Sequence, residues 1–418
     1  MIRLSKHLIA SLFATTIAIA AAQDRPTEAV PQSADDATTI GEIRRGEAYG
    51  NVPREERERR QYGRLIEMVE PSGKGDPQRL PVYINLFKRE MVGDSNIFAT
   101  DIEANWDEAK KTLTLDGYVN YQENKDAFAK LIKNLGFENV IDNITVLPSE
   151  TLGDLKFAFV TEPHTFIYGK PSPSGQRERL TDGLLGDPVF LLNVEDDGYF
   201  LCASREGYIG HIAGKDIHRV DAGQFHDYQV GKKAILKKDF VKDDIKIFAG
   251  SRLKYVKDRD TESILEYPDG LQVAIPRQDL TMLSGEPNPV ALAAIENSKL
   301  KLGTKYVWGG ATSDGVDCSG LVQSGYKPEG INLGRDAYMQ AYAGTLVATR
   351  WYREGMRPGD LLYFMGRTGK INHTAIYMGN GEFIQASGTV KISSLDPKSD
   401  KYDANHARGF IFAKRVVE

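Results

Sequence analysis

Apolar residues along the chain change their spacing several times, and each change predicts a different kind of element. Leu8 to Ala22 is an apolar run, interrupted by Ser11, Thr15 and Thr16, behind Arg3 and Lys6. Residues 23–79 then turn polar and rich in charge, proline and glycine. "PREERERRQYGRLIEMVE" predicts one short surface helix there, and the remainder reads as a charged linker. "KTLTLDGYVN" alternates as a strand does. "ENKDAFAKLIKNLGF" places Phe128, Leu131, Ile132 and Leu135 at helical spacing, and "ENVIDNITVLP" returns as a strand, so residues 80–155 predict a small α/β module. From Lys156 to Leu283 the runs shorten and alternate between turn residues, as in "DPVFLLNVEDDGYFLCASREGYIGHI" and "ILEYPDGLQVAI". Repeated short strands without helices predict two small all-β barrels, over 156–221 and 222–287. "EPNPV" breaks the chain. "NPVALAAIENSKLKLG" then predicts a helix with an asparagine cap and proline at its first position, and a mixed α+β texture fills 288–418.

Composition narrows the class. A chain of 418 residues exceeds what one core serves, so two to four domains are expected. With 41% hydrophobic and 27% charged residues, the chain fits neither a disordered protein nor a membrane protein. A net charge of -5 supplies no basic face for nucleic acid. Residues 1–22 read as a signal peptide, since the apolar run is short of a full span and Ala20 and Ala22 form a small-x-small cleavage site. The expected location is therefore the periplasm or the exterior, with no membrane contact after cleavage. Two cysteines make no disulfide framework, although a Cys202–Cys318 bridge is possible on count alone. Cys202, in the strand-like "YFLCAS", reads as a buried structural thiol.

Cys318 has different surroundings. "YVWGGATSDGVDCSGLV" is glycine-rich before the cysteine and apolar after it, which predicts a loop leading into a helix of about two turns. A cysteine at a helix N-terminus faces unpaired amide N–H groups, which favour thiolate and lower its pKa. A thiolate nucleophile also needs an imidazole. His373 opens "HTAIYMGNGEFIQAS", a hairpin about Gly379-Asn380-Gly381. With a three-residue loop, Gln385 falls opposite Ala375 and shares a face with His373; a two-residue loop would separate them. The few scattered histidines imply no metal, and no cofactor is expected.

"YVWGG…DCSGLV", "RPGDLLYF" and "HTAIYMGNGEFIQAS" resemble, in order and spacing, three signatures of the NlpC/p60 cell-wall peptidases, which are papain-like cysteine enzymes. "RERLTDGLLGDPVFLL" followed by "DDGYFLCASREGYIGHI" resembles bacterial Src-homology-3 (SH3) barrels, and residues 80–155 resemble BON-type periplasmic modules. Two such barrels before the peptidase domain resemble the γ-D-glutamyl-L-diamino acid endopeptidases of that family. The resemblance implies Cys318 as nucleophile, His373 as general base and Gln385 as a third member where histidine is commoner. It implies Tyr306 beside the oxyanion and Trp308 as a site wall. Asp317 and Ser319 would bind the free N-terminal amine of a stem peptide, Tyr208 would close the site from the first barrel, and Glu178 would be its acidic partner. The implied protein is a secreted, monomeric hydrolase of peptidoglycan stem peptides. The alternatives are a wall-binding scaffold with a weak peptidase domain, favoured by Gln385, or an amidase or acyltransferase of the same fold.

Overall fold

The computed structural model describes residues 54–366 and 369–418; the expected signal peptide lies outside them. The short helix predicted within residues 53–70 is present, but it is packed against the core and is not part of a charged linker. Helix α1 (Arg54–Val69) keeps Glu56, Arg59 and Arg60 paired on one side and buries Tyr62, Leu65 and Ile66 on the other. The charge pattern describes the wet face alone, and the apolar stripe decides where the helix goes. After α2 (Leu80–Phe87), strands β1 (Thr100–Asp107) and β2 (Thr112–Val119) pair antiparallel. Helix α3 (Gln122–Asn134) crosses to β3 (Val140–Asp142) and β4 (Thr145–Val146), both parallel to β2. Phe128, Leu131, Ile132 and Leu135 are all buried, so the helical spacing names this inner face correctly.

Strands β5 (Phe157–Val160), β6 (His164–Tyr168), β7 (Arg179–Leu184), β8 (Pro188–Val194), β9 (Tyr199–Ala203), β10 (Ile209–Ala213) and β11 (Ile217–Val220) form one antiparallel sheet. Its order is β11-β5-β8-β9-β10-β6-β7; the ladder ends at β11 and β7 and does not close into a barrel. Cys202 lies unpaired and fully buried in its core among Val160, Ile167 and Leu191. Helix α4 (Ala222–Val230) follows, where the strand pattern predicts none. Asp221 and Gln224 form a capping box, and Phe225 and Tyr228 stack on Phe159.

Next come β12 (Lys233–Leu236), a ribbon of β13 (Phe240–Lys242) and β14 (Ile245–Ile247), then β15 (Arg252–Arg259), β16 (Glu262–Glu266), β17 (Gln272–Pro276) and β18 (Leu280–Leu283). Their sheet, β17-β16-β15-β12-β18, is likewise open.

The C-terminal unit starts with α5 (Pro289–Lys299), capped by the Asn288 side chain on the Val290 N–H. Helices α6 (Cys318–Tyr326) and α7 (Ala337–Gln340) precede β19 (Thr345–Thr349), β20 (Leu361–Met365), β21 (Ile371–Gly379), β22 (Glu382–Ser387) and β23 (Thr389–Ser394); α8 (Ala404–Gly409) and β24 (Phe410–Arg415) end the unit. The sheet runs β19-β24-β20-β21-β22-β23, and α6 lies against β21 and β22. Every other unit is tied to this one or to its neighbour. Arg350 pairs with Glu123 at 2.9 and 3.1 Å, the Ile209 N–H donates to Asn96 O, and the Leu346 N–H donates to Arg205 O.

Candidate active site

Asp317 starts α6. Its backbone is extended and its Oδ1 accepts the Gly320 N–H at 2.7 Å, which makes Cys318 the first helical residue. Position 320 must be glycine, because a Cβ there would collide with the Gly310 carbonyl oxygen. The Cys318 thiol faces the backbone N–H groups of Thr374 and Ser319. Burial and the Asp317 charge push it up to about 12, against the pull of those amides and of Arg335. The lowered pKa expected from the helix end is thus reversed, because two amide dipoles do not replace the water lost around a nearly buried sulfur.

Thr374 follows His373 on β21, so the backbone that carries the imidazole passes the thiol. Ile376 faces Ile384 and Tyr377 faces Phe383, so the ladder sets Gln385 opposite Ala375, as a three-residue loop predicts. The chain reaches that register differently. Gly379 pairs with Glu382 about a two-residue turn, with Asn380 and Gly381 at φ 52° and 79°, and Met378 is bulged out. The bulge restores the face that a plain two-residue hairpin would have flipped.

His373 Nε2 lies 2.7 Å from Gln385 Oε1, while its Nδ1 is buried with no partner among the described residues. The Gln385 amide nitrogen donates to Ser393 Oγ at 2.8 Å and Asp403 Oδ2 at 3.1 Å. Both amide hydrogens are thereby engaged, and Oε1 is left to accept from Nε2–H. This assignment keeps the Nδ1 lone pair free to take a proton.

Asp403 and His406 are absent from the sequence-derived set. Asp403 caps α8 on the His406 N–H, and the His406 ring lies against His373 with centroids 4.5 Å apart. His406 Nδ1 is 2.8 Å from Asp403 Oδ2 but out of line for a hydrogen bond. Burial opposes the Asp403 charge, yet His406 and Gln385 hold its carboxyl below the usual carboxylate range. Burial, then the His406 charge, keep His373 well below the ordinary imidazole range, against Gln385 and Asp403. Burial thus favours a neutral thiol at Cys318 and a neutral imidazole at His373.

Tyr306 has a buried hydroxyl with no partner among the described residues. Burial, then the nearby Cys318 charge, raise its phenol. Trp308 is half-buried on the same core. Asp317 and Ser319 depart from the amine-binding roles the resemblance implies. Arg335 contacts the Asp317 carboxylate at 3.0 and 2.6 Å and the Ser319 hydroxyl at 3.0 Å, and the Gly309 N–H takes Oδ2 at 2.8 Å. With Gly320 on Oδ1, the carboxylate is filled by the chain's own donors. Tyr208 lies close enough to Tyr342 to act on its phenol, as do Tyr338 and Asp94; on the helix that carries Tyr338, Gln340 donates to Ser319 O at 3.1 Å. Glu178 is not brought to the cysteine. It pairs with Lys170 and Ser174 in its own exposed loop before β7, because the local basic partner satisfies it there.

The NlpC/P60 family model matches residues 303–409. A γ-D-glutamyl-L-lysine dipeptidyl-peptidase of Bacillus cereus is 33% identical over 137 residues, 31% of this chain and 40% of that protein. A murein DD-endopeptidase/murein LD-carboxypeptidase of Escherichia coli is 40% identical over 110 residues, 25% of this chain and 55% of that protein. The matches thus span 27% to 55% of the length of these and similar curated relatives. Among solved structures, an NlpC/P60 family protein from Bacillus cereus is similar at 21% identity and a TM-score of 0.28, over 63% of this chain and 100% of that one. Cys318 at the start of α6, His373 on β21 and Gln385 on β22 all fall within residues 303–409, and this segment is an NlpC/P60 family domain.

Proposed function

We propose that this protein is an exported cysteine endopeptidase that hydrolyses the γ-D-glutamyl–diamino acid bond of peptidoglycan stem peptides. The observation that carries the reading is the His373 ring, tied at Nε2 to Gln385 and unpartnered at Nδ1, on the residue before the Thr374 amide that faces the Cys318 thiol. In this reading the Cys318 proton passes to His373 Nδ1 as sulfur attacks the γ-glutamyl carbonyl. The Tyr306 hydroxyl donates to the oxyanion. The imidazolium then protonates the leaving amine, and water hydrolyses the thioester. The bond is suggested by the relatives named γ-D-glutamyl-L-lysine dipeptidyl-peptidase. The two open β-sheets are read as SH3-like wall-binding modules, residues 1–22 as a signal peptide, and the protein as a monomer.

A second reading, a wall-binding scaffold with weak peptidase activity, is favoured by the raised thiol and the lowered imidazole. Mass spectrometry of stem peptides and muropeptides, incubated with the protein and with Cys318→Ala, tests both. Products severed after γ-D-glutamate, absent with the variant, are expected. Cleavage at another bond, or by the variant, would overturn the endopeptidase reading, and no cleavage would favour the scaffold.

A further inference from the structure

A cavity of about 240 Å³ lies where the seven-stranded sheet, the five-stranded sheet and the C-terminal unit meet. Cys318, His373 and Gln385 do not line it. It opens on the β19–β24 edge, with β20 between that edge and His373 on β21. Five cations line it, from all three units, against the carboxylates of Glu286 and Glu418.

Three of the five cations are answered. Arg252 pairs with Glu418 at 2.6 Å, Arg415 with Asp360 at 2.8 Å, and Arg205 with Glu206 at 3.1 Å. Lys233 and Arg357 have no such partner: among the described residues neither side chain makes a hydrogen bond or an ion pair, and the carboxylates of Glu418 and Asp187 reach Lys233, and those of Asp360, Glu418 and Glu286 reach Arg357, only through space. Lys233 is 7% exposed, and its ammonium rests over the Tyr228 ring at 4.2 Å. A buried ammonium without an acceptor is costly, and an apolar side chain would fill the same space more stably. The lysine makes sense where a counter-charge arrives from outside. A guanidinium fork beside a point-charge ammonium suits one oxyanion. The volume is ample for a small molecule.

We propose that this cavity binds a small oxyanion carrying two negative charges, a phosphate or a short dicarboxylate, between Lys233 and Arg357. By bridging β12 to the segment before β20, the anion clamps the five-stranded sheet onto the C-terminal unit. The site is independent of the peptidase reading. Burial, then the charges of Arg252 and Arg357, hold Lys233 down to about 7 against Glu418 and Asp187, so anion binding near that pH draws a proton onto the amine.

The test is titration calorimetry and thermal denaturation of the full chain in zwitterionic buffers. The probes are inorganic phosphate and glutarate, with chloride as control. One dianion should bind at one site and raise the melting temperature. Its heat should depend on the buffer's ionisation enthalpy between pH 7 and 8, which reports proton uptake. Binding of phosphate or of glutarate distinguishes the two sources. Lys233→Met should lose at least tenfold in affinity and all of the proton uptake, yet melt no lower than the parent without anion. Arg357→Gln should lose affinity but keep the uptake. Cys318→Ala should bind as the parent does, which separates this outcome from that of the peptidase reading. The proposal is overturned if neither dianion binds the parent, or if Lys233→Met binds equally well.

Discussion

Arg335 grips Asp317 in a two-pronged pair, Nη1 to Oδ1 at 3.0 Å and Nη2 to Oδ2 at 2.6 Å, at the first turn of the helix that carries Cys318. The carboxylate therefore acts on the thiol from a fixed position. Asp317→Asn keeps a competent cap, since asparagine caps as well as aspartate. It removes the charge that, after burial, most raises Cys318. Iodoacetamide should alkylate Cys318 faster in Asp317→Asn than in the parent at pH 7. Urea unfolding should show a loss of about 1–3 kcal/mol from the broken charged hydrogen bonds. Slower alkylation would mean that the Asp317 charge does not reach the sulfur.

The same pair bears on substrate choice. A free peptide ammonium would need an unfilled carboxylate, and that of Asp317 is filled by Arg335, Gly309, Gly320 and Ser319. L-Ala-γ-D-Glu-L-Lys and its N-acetylated form should accordingly be cleaved with a ratio of kcat/KM that Asp317→Asn leaves unchanged. A ratio that collapses in Asp317→Asn would restore the amine-binding role to this residue.

The pH dependence of stability follows from two opposite shifts. Buried His373 has a folded pKa below its unfolded value of about 6.5, so its contribution is whole above that pH. Below it the unfolded chain takes a proton that the native one refuses, and stability falls by roughly 1.4 kcal/mol per pH unit. Cys318 is raised to about 12 from an unfolded value of about 8.5. Its contribution is whole below about 8.5 and is lost as pH rises, because only the unfolded thiol ionises. Urea unfolding from pH 8 to 10 should show a steeper decline in the parent than in Cys318→Ala, where the buried Cys202 thiol, also raised, still contributes. A decline of equal size in both proteins would contradict a raised thiol.

Local signals in the sequence carried much of the site. The asparagine cap before α5, the buried stripe of α3 and the shared face of His373 and Gln385 depend on spacing within about a dozen residues, and spacing is visible in one chain. The thiol was misjudged because a helix end can be read from sequence, whereas burial depends on distant strands. Arg335 was missed for the same reason, lying 18 residues beyond Asp317 across a turn. Helix α4 was legible through its Asp221–Gln224 capping box, but short strands on either side hid it. Asp403 and His406 could be read as a helix cap. Their meeting with His373 is set by α8 folding back beneath β20, which no local pattern encodes.

Asp403 then offers the sharpest test of how the imidazole is held. Gln385 can present either end of its amide to His373, and the two ends have opposite consequences. With Oε1 toward Nε2, as the Ser393 and Asp403 acceptors require, His373 donates from Nε2 and Nδ1 stays free for the thiol proton. With the amide reversed, Nε2 would accept and the proton would sit on Nδ1, where it blocks the transfer. Asp403→Asn keeps the α8 cap but replaces an acceptor of fixed polarity with an amide that can itself turn. If Asp403 positions Gln385, kcat for a stem peptide should fall by about tenfold to a hundredfold in Asp403→Asn with KM nearly constant. Gln385→Ala should fall further, toward the roughly 100-fold or greater losses typical of a disabled general base. Gln385→His, which also offers an N–H and a ring acceptor, should retain part of the rate. Because Asp403 also supports the His373 charge, the acid limb of kcat/KM should move to lower pH in Asp403→Asn. A mere folding defect would lower active-site titre without moving that limb. An unmoved limb with an unchanged kcat would show that Ser393 alone fixes the amide.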